Sequence, residues 1–187
     1  MPQRTASLSR IEVVPYDPLW PQEFARACGE VIAALGPNVL AVHHIGSTSI
    51  PGLHAKPVID MLAVVADSAG VDKRAAEMQR LGYEAMGAFG IEGRRYFRRD
   101  DPTGRRTHQL HVFEEGSPHV PRHLAFRDYM RAHPVSADAY GELKRALATE
   151  HPHDAAAYMD GKDAFVKEME ARALGWVAAS GGDPAAA

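Results

Sequence analysis

Three features are scarce in this sequence: cysteine, long apolar runs and net charge. Cys28 is the only cysteine, so no disulfide bond forms within the chain and we expect a reducing, cytoplasmic location. No window approaches the roughly 18–20 apolar residues of a membrane-spanning helix, and the N-terminus lacks the apolar run of a signal peptide. The net charge of −3 argues against bulk binding of nucleic acid.

What is present is typical of a globular protein. Apolar residues make up 45% of the chain and charged residues 24%, which is enough to build a hydrophobic core. A length of 187 residues favours one domain, which we place at residues 10–175. It divides into a mixed-sheet part (10–115) and a helical part (117–175), and we expect flexible tails at 1–9 and 178–187.

The division follows from apolar periodicity and turn residues. The patterns predict strands at 11–16, 39–45, 57–65, 83–88, 94–98 and 107–113. Helices are predicted from Asp17 to Leu35, from Val71 to Leu81 and, in three pieces, from Ser117 onward. These elements predict an α+β fold, in which a small sheet with flanking helices is followed by a C-terminal helical part.

A loop of small residues and a lone acid form the most distinctive pattern. The loop 46–49 (GSTS) follows a predicted strand, and its hydroxyl and N–H groups are suited to phosphate oxygens, although Gly-Ser pairs also occur in ordinary turns. The next strand contains Asp60 among apolar residues, where a carboxylate needs a metal ion, a basic side chain or backbone donors. Strand alternation places Asp60 on the same face as Leu62. The alternative is an Asp that only caps a neighbouring loop.

Four segments together resemble the GrpB family, a branch of the nucleotidyltransferase superfamily. They are Ile45–Leu53 (IGSTSIPGL), Lys56–Asp60 (KPVID), Thr107–Val112 (THQLHV) and Arg122–Tyr129 (RHLAFRDY). The resemblance covers about residues 10–175 and implies a nucleotidyltransferase-like mixed β-sheet. It also implies transfer of a nucleotidyl group from a nucleoside triphosphate to a small acceptor with a divalent metal ion, Mg²⁺ or Mn²⁺. Related domains are found fused to dephospho-CoA kinase, which hints at nucleotide-linked metabolism.

The resemblance also implies roles for individual residues. Asp60 would bind the metal, and the loop contacts to the triphosphate and substrate would be Gly46, Ser47, Thr48, Ser49 and Lys56. The superfamily usually carries a second carboxylate two residues after the first, where this sequence has Leu62. One Asp cannot supply the oxygen ligands of two-metal chemistry. Another residue therefore completes the site, or catalysis has been lost or altered.

His111 is our choice to complete the site as a catalytic residue and metal ligand. His108 and His111 are three residues apart in one predicted strand, so they face opposite ways and do not chelate one ion together. Imidazole suits transition metals better than Mg²⁺, so a transition metal is an alternative cofactor. A hydrogen-bonded structural role is the alternative for His111, and His108 is a lesser candidate for orienting the loop or meeting the substrate.

Basic residues of the helical part supply charge opposite Asp60. Lys144 shares a helical stripe with Tyr140, and Lys162 shares another with Tyr158. Each lysine either extends along the apolar stripe to water or reaches a cleft and meets an anionic ligand. We expect Arg122, His123 and Arg127 to line the same cationic cleft, with the last two on one helical face.

Arginines are concentrated on the predicted hairpin. They are Arg94, Arg95, Arg98, Arg99, Arg105 and Arg106. Arginine forks bind phosphate and carboxylate groups, but a cluster on a hairpin also protects a solvated sheet edge.

Three functions are compatible with these residues. The first is a nucleotidyltransferase acting on an unknown small acceptor. The second is a non-catalytic module that binds a nucleotide or another small anion and has lost the second carboxylate at Leu62. The third is a metal-dependent hydrolase using His and Asp, although the spacing matches no standard zinc signature.

Overall fold

The computed structural model describes residues 10–181. Its helices are α1 (Trp20–Leu35), α2 (Ser68–Lys73), α3 (Ala75–Arg80), α4 (His119–Ala132), α5 (Pro134–Glu150) and α6 (Ala155–Ser180). Its strands are β1 (Val39–Ile45), β2 (Ile59–Val65), β3 (Glu84–Ala85), β4 (Arg95–Asp100) and β5 (Arg106–Glu114), and a 3₁₀ turn covers Ser47–Ser49. Residues 1–9 and 182–187 of the expected tails lie outside the described residues, whereas residues 178–180 continue the last helix.

Within residues 10–181, five strands form one mixed sheet in the order β1-β2-β5-β4-β3. Strand β2 pairs antiparallel with β1 and parallel with β5, and β4 pairs antiparallel with both β5 and β3. The parallel pair needs a long crossover, which α2, α3, β3 and β4 provide. The expected α+β fold with a mixed sheet is confirmed.

Three predicted elements need correction. Residues 11–16 form no strand, because Pro15 lacks a ladder donor, and only Val14 makes an isolated bridge, to Ala55. The predicted helix at 71–81 is split into α2 and α3 at Arg74, whose φ of −101° and ψ of 12° break the helical geometry. The predicted strand at 83–88 is reduced to two residues, since Gly87 turns with a φ of 62°.

Both faces of strand β2 are covered, which explains its nearly continuous apolar sequence. On one face, alternate residues from Ile59 to Val65 join a core with α1. On the other face, Leu62 and Val64 pack with residues of α4. Asp60 lies on this second face, as alternation predicts, so its carboxylate points towards the C-terminal helices.

The helical part is three packed helices, as the sequence predicts. His133 precedes α5 and His151 follows it, at the two expected breaks. A shared core of α4, α5 and α6 includes Tyr129, Tyr140 and Met169. This packing places one side of α5 and α6 against the sheet face that carries Asp60.

Candidate functional site

A cavity of about 290 Å³ lies between the sheet and the C-terminal helices. It brings together nine of the residues that the sequence singles out: Gly46, Ser47, Thr48, Lys56, Asp60, His111, His123, Lys144 and Lys162. The first six come from the sheet part, His123 from α4 and the two last lysines from α5 and α6. The small-residue turn and the lone acid therefore face one cleft together with basic groups of the helices. We call it the Asp60 cavity.

The turn after β1 lies directly against the acid of β2. Ile45 pairs with Asp60 in the sheet, and Gly46 then leaves the strand with a φ of 68° and a ψ of −173°, a region open essentially only to glycine. A Cβ at position 46 would lie 2.9 Å from Cβ of Asp60 and closer still to its Oδ2. Glycine is required here both by the backbone conformation and by the close approach.

Three lysines supply the positive charge of the cavity. Lys144 is 2% exposed, donates from Nζ to Oγ of Ser47 at 2.8 Å and lies 4.4 Å from the ring centre of Tyr140. The Nζ atoms of Lys56 and Lys162 lie 5.2 and 5.3 Å from the ring centre of Tyr158. None of the ion pairs within residues 10–181 includes Asp60 or any of these lysines. Aromatic faces and one hydroxyl therefore hold these charges.

Burial shifts the acidity of the whole group. It raises the pKa of Asp60 to about 6, against the opposing effect of the surrounding lysines and Arg106. Burial, followed by repulsion from the neighbouring lysines, lowers the pKa of Lys144 to about 7, and the same two causes lower the pKa of Lys162 to about 8. Asp60, Lys144 and Lys162 therefore all titrate close to neutral pH.

The three hydroxyls of the turn have different roles. Thr48 donates from Oγ1 to the carbonyl of Val58 at 3.0 Å, and Ser49 donates from Oγ to the carbonyl of Gly46 at 2.6 Å. Both side chains therefore fix the turn, although Thr48 also lines the cavity. Ser47 alone of the three directs its hydroxyl to a lysine of the cavity. Ser49 lies outside the cavity, contrary to the assignment as a substrate contact.

Arg127 is also placed elsewhere than the sequence suggests. It is 7% exposed, pairs with Asp128 at 2.7 Å and reaches the carbonyl of His44 on β1. His123, one helical turn before Arg127, does line the cavity. Arg127 lies one turn further along α4 and is not part of the cavity lining. Arg122 forms an ion pair with Glu170. Of this expected basic group, only His123 reaches the cleft.

The two histidines of β5 face opposite sides of the sheet, as their spacing predicts. His111 lies beside Leu62, the position of the missing carboxylate, because β2 and β5 pair in parallel. Its Nδ1 accepts from Nη1 of Arg94 at 3.3 Å. His108 is buried on the opposite face with Arg99 and Tyr83, so it neither orients the loop nor meets a ligand of the Asp60 cavity.

The described residues offer no site in which protein side chains alone would hold a divalent metal ion. Within residues 10–181, no group of three or more His, Cys, Asp or Glu side chains is placed to hold one. An arginine only donates, so Nδ1 of His111 accepts, the neutral ring carries its proton on Nε2 and no lone pair is free for a metal. Burial and nearby arginines lower the pKa of His111 to about 4, which keeps the ring neutral. The contacts of His111 therefore give no support to the expected metal site at Asp60 and His111, and the described residues hold no three-ligand set of the kind that a His/Asp metal-dependent hydrolase uses.

The arginines of the β4–β5 hairpin are already paired. Arg95 binds Asp72, Arg98 binds Glu84 and Arg105 binds Glu12, which favours the interpretation as a solvated edge. Arg94 differs, because it is 6% exposed and donates to the carbonyls of Ala88 and Phe89. These hydrogen bonds hold the loop that precedes β4 in place.

Gln109 is a cavity residue that sequence reasoning missed. It pairs with Asp60 across the sheet, and its Oε1 accepts from the hydroxyl of Tyr96 at 2.8 Å, so its amide N–H groups face the cleft. Gln109 also lines an adjoining cavity of about 560 Å³. The two cavities share Lys56, Val58 and Gln109. The sequence feature that could have identified Gln109 is its position two residues before His111, because strand alternation places both side chains on one face.

The family model for GrpB protein matches residues 10–172. The chain belongs to the GrpB family. Among curated GrpB relatives, UPF0157 protein YqkA of Bacillus subtilis is 42% identical over 89% of this chain, which spans 48% of that protein. A dephospho-CoA kinase of Mycolicibacterium paratuberculosis is 27% identical over 97% of this chain, which spans 50% of it. The chain thus spans about half the length of these two relatives.

Solved structures support the family and the fold. The crystal structure of GrpB from Enterococcus faecalis has a TM-score of 0.83 and 44% identity, covering 87% of this chain and 97% of that one. A Cid1 poly(U) polymerase with MgGTP bound has a TM-score of 0.52 and 13% identity, covering 73% of this chain and 44% of that one. The second likeness shows a shared nucleotidyltransferase-like fold. Among the helices of residues 10–181, none is long and apolar enough to cross a membrane.

Proposed function

We propose that the chain binds a small phosphorylated anion in the Asp60 cavity, and that this anion is a nucleotide. The observation that carries the proposal is the convergence of Lys56, Lys144 and Lys162 on one cavity. Among residues 10–181, the one other acid that lines the cavity, Glu170, is paired with Arg122. Positive charge therefore exceeds negative charge where the ligand would lie, which favours an anion.

The dimensions support a ligand held by its phosphates. A volume of about 290 Å³ is at the lower end of the roughly 300–1,000 Å³ of ligand pockets, so it suits a phosphate chain better than a whole nucleotide. The adjoining cavity of about 560 Å³ gives room for the rest. The nucleotide class itself comes from the shared fold with nucleotide-bound polymerases.

Titration calorimetry with ATP, GTP, CTP, UTP and inorganic pyrophosphate tests the proposal. We expect binding by at least one of them, and a loss of about tenfold or more in Lys144→Met, since a charged hydrogen bond contributes about 1.5–3 kcal/mol. Lys167, exposed and paired with Asp163, provides the control variant Lys167→Met. Absence of binding by all four nucleotides, or equal affinity in Lys144→Met, contradicts the proposal, and binding of pyrophosphate alone contradicts its nucleotide part.

Nucleotidyl transfer is a second candidate. It is favoured by the Gly46–Ser47 turn beside the Asp-bearing strand in a fold shared with a polymerase. It is disfavoured by Leu62, which stands where the superfamily usually carries a second carboxylate and which pairs with His111 rather than with an acid. Release of pyrophosphate from a bound nucleoside triphosphate in the presence of candidate acceptors separates transfer from binding alone.

A further inference from the structure

The Asp60 cavity is surrounded by hydrogen-bond donors to an unusual degree. Lys56, Lys144 and Lys162 contribute ammonium groups with no carboxylate within 4 Å in the described part of the chain. Gln109 adds N–H groups, because Arg106 donates to the hydroxyl of Tyr96 and that hydroxyl in turn donates to Gln109 Oε1. This relay fixes the orientation of the Gln109 amide.

His111 and His123, which line one side of the cavity, also present hydrogen-bond donors. The contact of Arg94 with Nδ1 of His111 leaves the N–H of Nε2 as the remaining polar group of that ring. His123 lies beside it, with the ring centres 5.5 Å apart, and its own Nε2 faces Arg122 at 3.3 Å. Asp60 is thus the only unpaired acceptor with full charge among the described residues that line the cavity. Such a site repels a divalent cation and attracts an oxyanion.

We propose that the Asp60 cavity takes a di- or triphosphate chain without a bound metal ion, its three lysines neutralising the charge that Mg²⁺ neutralises in a metal-bound nucleotide. This inference rests on the proposed function and specifies the form of its ligand. Three ammonium groups and the Asp60 carboxylate leave the cavity with a net positive charge, which offsets part of the negative charge of a metal-free phosphate chain, and Asp60 reduces the mutual repulsion of the lysines. Magnesium therefore competes with the protein for the phosphate chain.

Calorimetry with inorganic pyrophosphate and with ATP tests the competition. Each is titrated in EDTA and again in excess Mg²⁺, with ionic strength matched by potassium chloride, because anion binding by lysines is weakened by salt. We expect affinity to fall at least about tenfold in Mg²⁺, since the bound ion cancels two of the negative charges that the lysines would otherwise bind. Mg²⁺ titrated alone should give no binding heat.

Variants identify the lysines as the cause. In EDTA, Lys56→Met, Lys144→Met and Lys162→Met should each weaken pyrophosphate binding by about tenfold or more, whereas Lys167→Met should not. An affinity that rises with Mg²⁺, or requires it, overturns the metal-free assignment while leaving nucleotide binding intact. Absence of binding under both conditions overturns the proposed function, and this inference with it.

Discussion

Gly46 and Asp60 lie so close together that the turn has no room for a side chain at position 46. The backbone at Gly46 therefore packs against one side of the Asp60 carboxylate, and the lysines of the cavity lie on the other side. A change at Gly46 displaces either the turn that carries Ser47 or the acid itself.

Gly46→Ala should reduce both stability and ligand binding. The backbone conformation, which is essentially restricted to glycine, disfavours alanine by about 1–3 kcal/mol, and the clash with Asp60 adds about 1–3 kcal/mol. Gly87 provides a control for a positive φ without a clash, because its φ of 62° is similar and a Cβ there meets nothing within 4 Å. Urea denaturation and pyrophosphate titration of both variants measure the effects. Equal losses of stability in the two variants would show that the contact with Asp60 costs nothing.

Asp60→Asn should strengthen the binding of pyrophosphate severalfold in EDTA. The substitution removes the one unpaired negative charge facing the three lysines, so the anion meets less repulsion. If Asp60 instead held a catalytic metal ion, the same variant would abolish metal-dependent binding. Calorimetry of wild type and variant, with and without Mg²⁺, decides between these opposite outcomes.

Lys144 should make stability depend on pH in alkaline solution. Its pKa falls from 10.5 to about 7 on folding, so between about pH 7 and pH 10 the unfolded chain binds more protons at this group than the folded chain. The contribution of Lys144 to the free energy of unfolding therefore rises with pH in that range. Urea denaturation at pH 7, 8 and 9 should show wild type gaining relative to Lys144→Met, with Lys167→Met following wild type. Parallel profiles for wild type and Lys144→Met would refute the shift.

Ligand affinity should change in the opposite direction over the same range. Deprotonation of Lys144, and then of Lys162, whose pKa is about 8, removes the charge that holds the anion. Pyrophosphate binding should therefore weaken progressively between about pH 6.5 and pH 9. An affinity that is flat across this range means that neither ammonium group contacts the phosphate chain.

Arg94→Met should destabilise the protein by about 2–3 kcal/mol, because it leaves the carbonyls of Ala88 and Phe89 without their donor. Arg105→Met removes only an exposed ion pair with Glu12, which contributes about 0–1 kcal/mol. Chemical denaturation of both variants tests the difference. If Arg105→Met lost as much stability as Arg94→Met, the burial of Arg94 would not explain its contribution.

Local geometry was enough to predict part of the cavity lining. Alternation along two strands placed Asp60 and His111 on one face, and the glycine-serine turn lay beside them. The sequence failed to place Arg127, because helical spacing shows which side of α4 a residue faces but not which neighbouring element it meets there. It also could not reveal that Thr48 and Ser49 use their hydroxyls within the turn, or that Arg94 occupies the nitrogen of His111 that a metal would need. These contacts depend on tertiary packing.

The Asp60 cavity lies at the seam between the two parts of the chain, with Ser47 on one side and Lys162 on the other. Neither part alone contains the recess, so a fragment ending before α5 would leave Asp60 open to water with ordinary acidity. An occupant that touches both sides would act as a clasp. We expect it to slow hydrogen exchange in α6 and to make the docking of that helix a readout of whether the recess is filled.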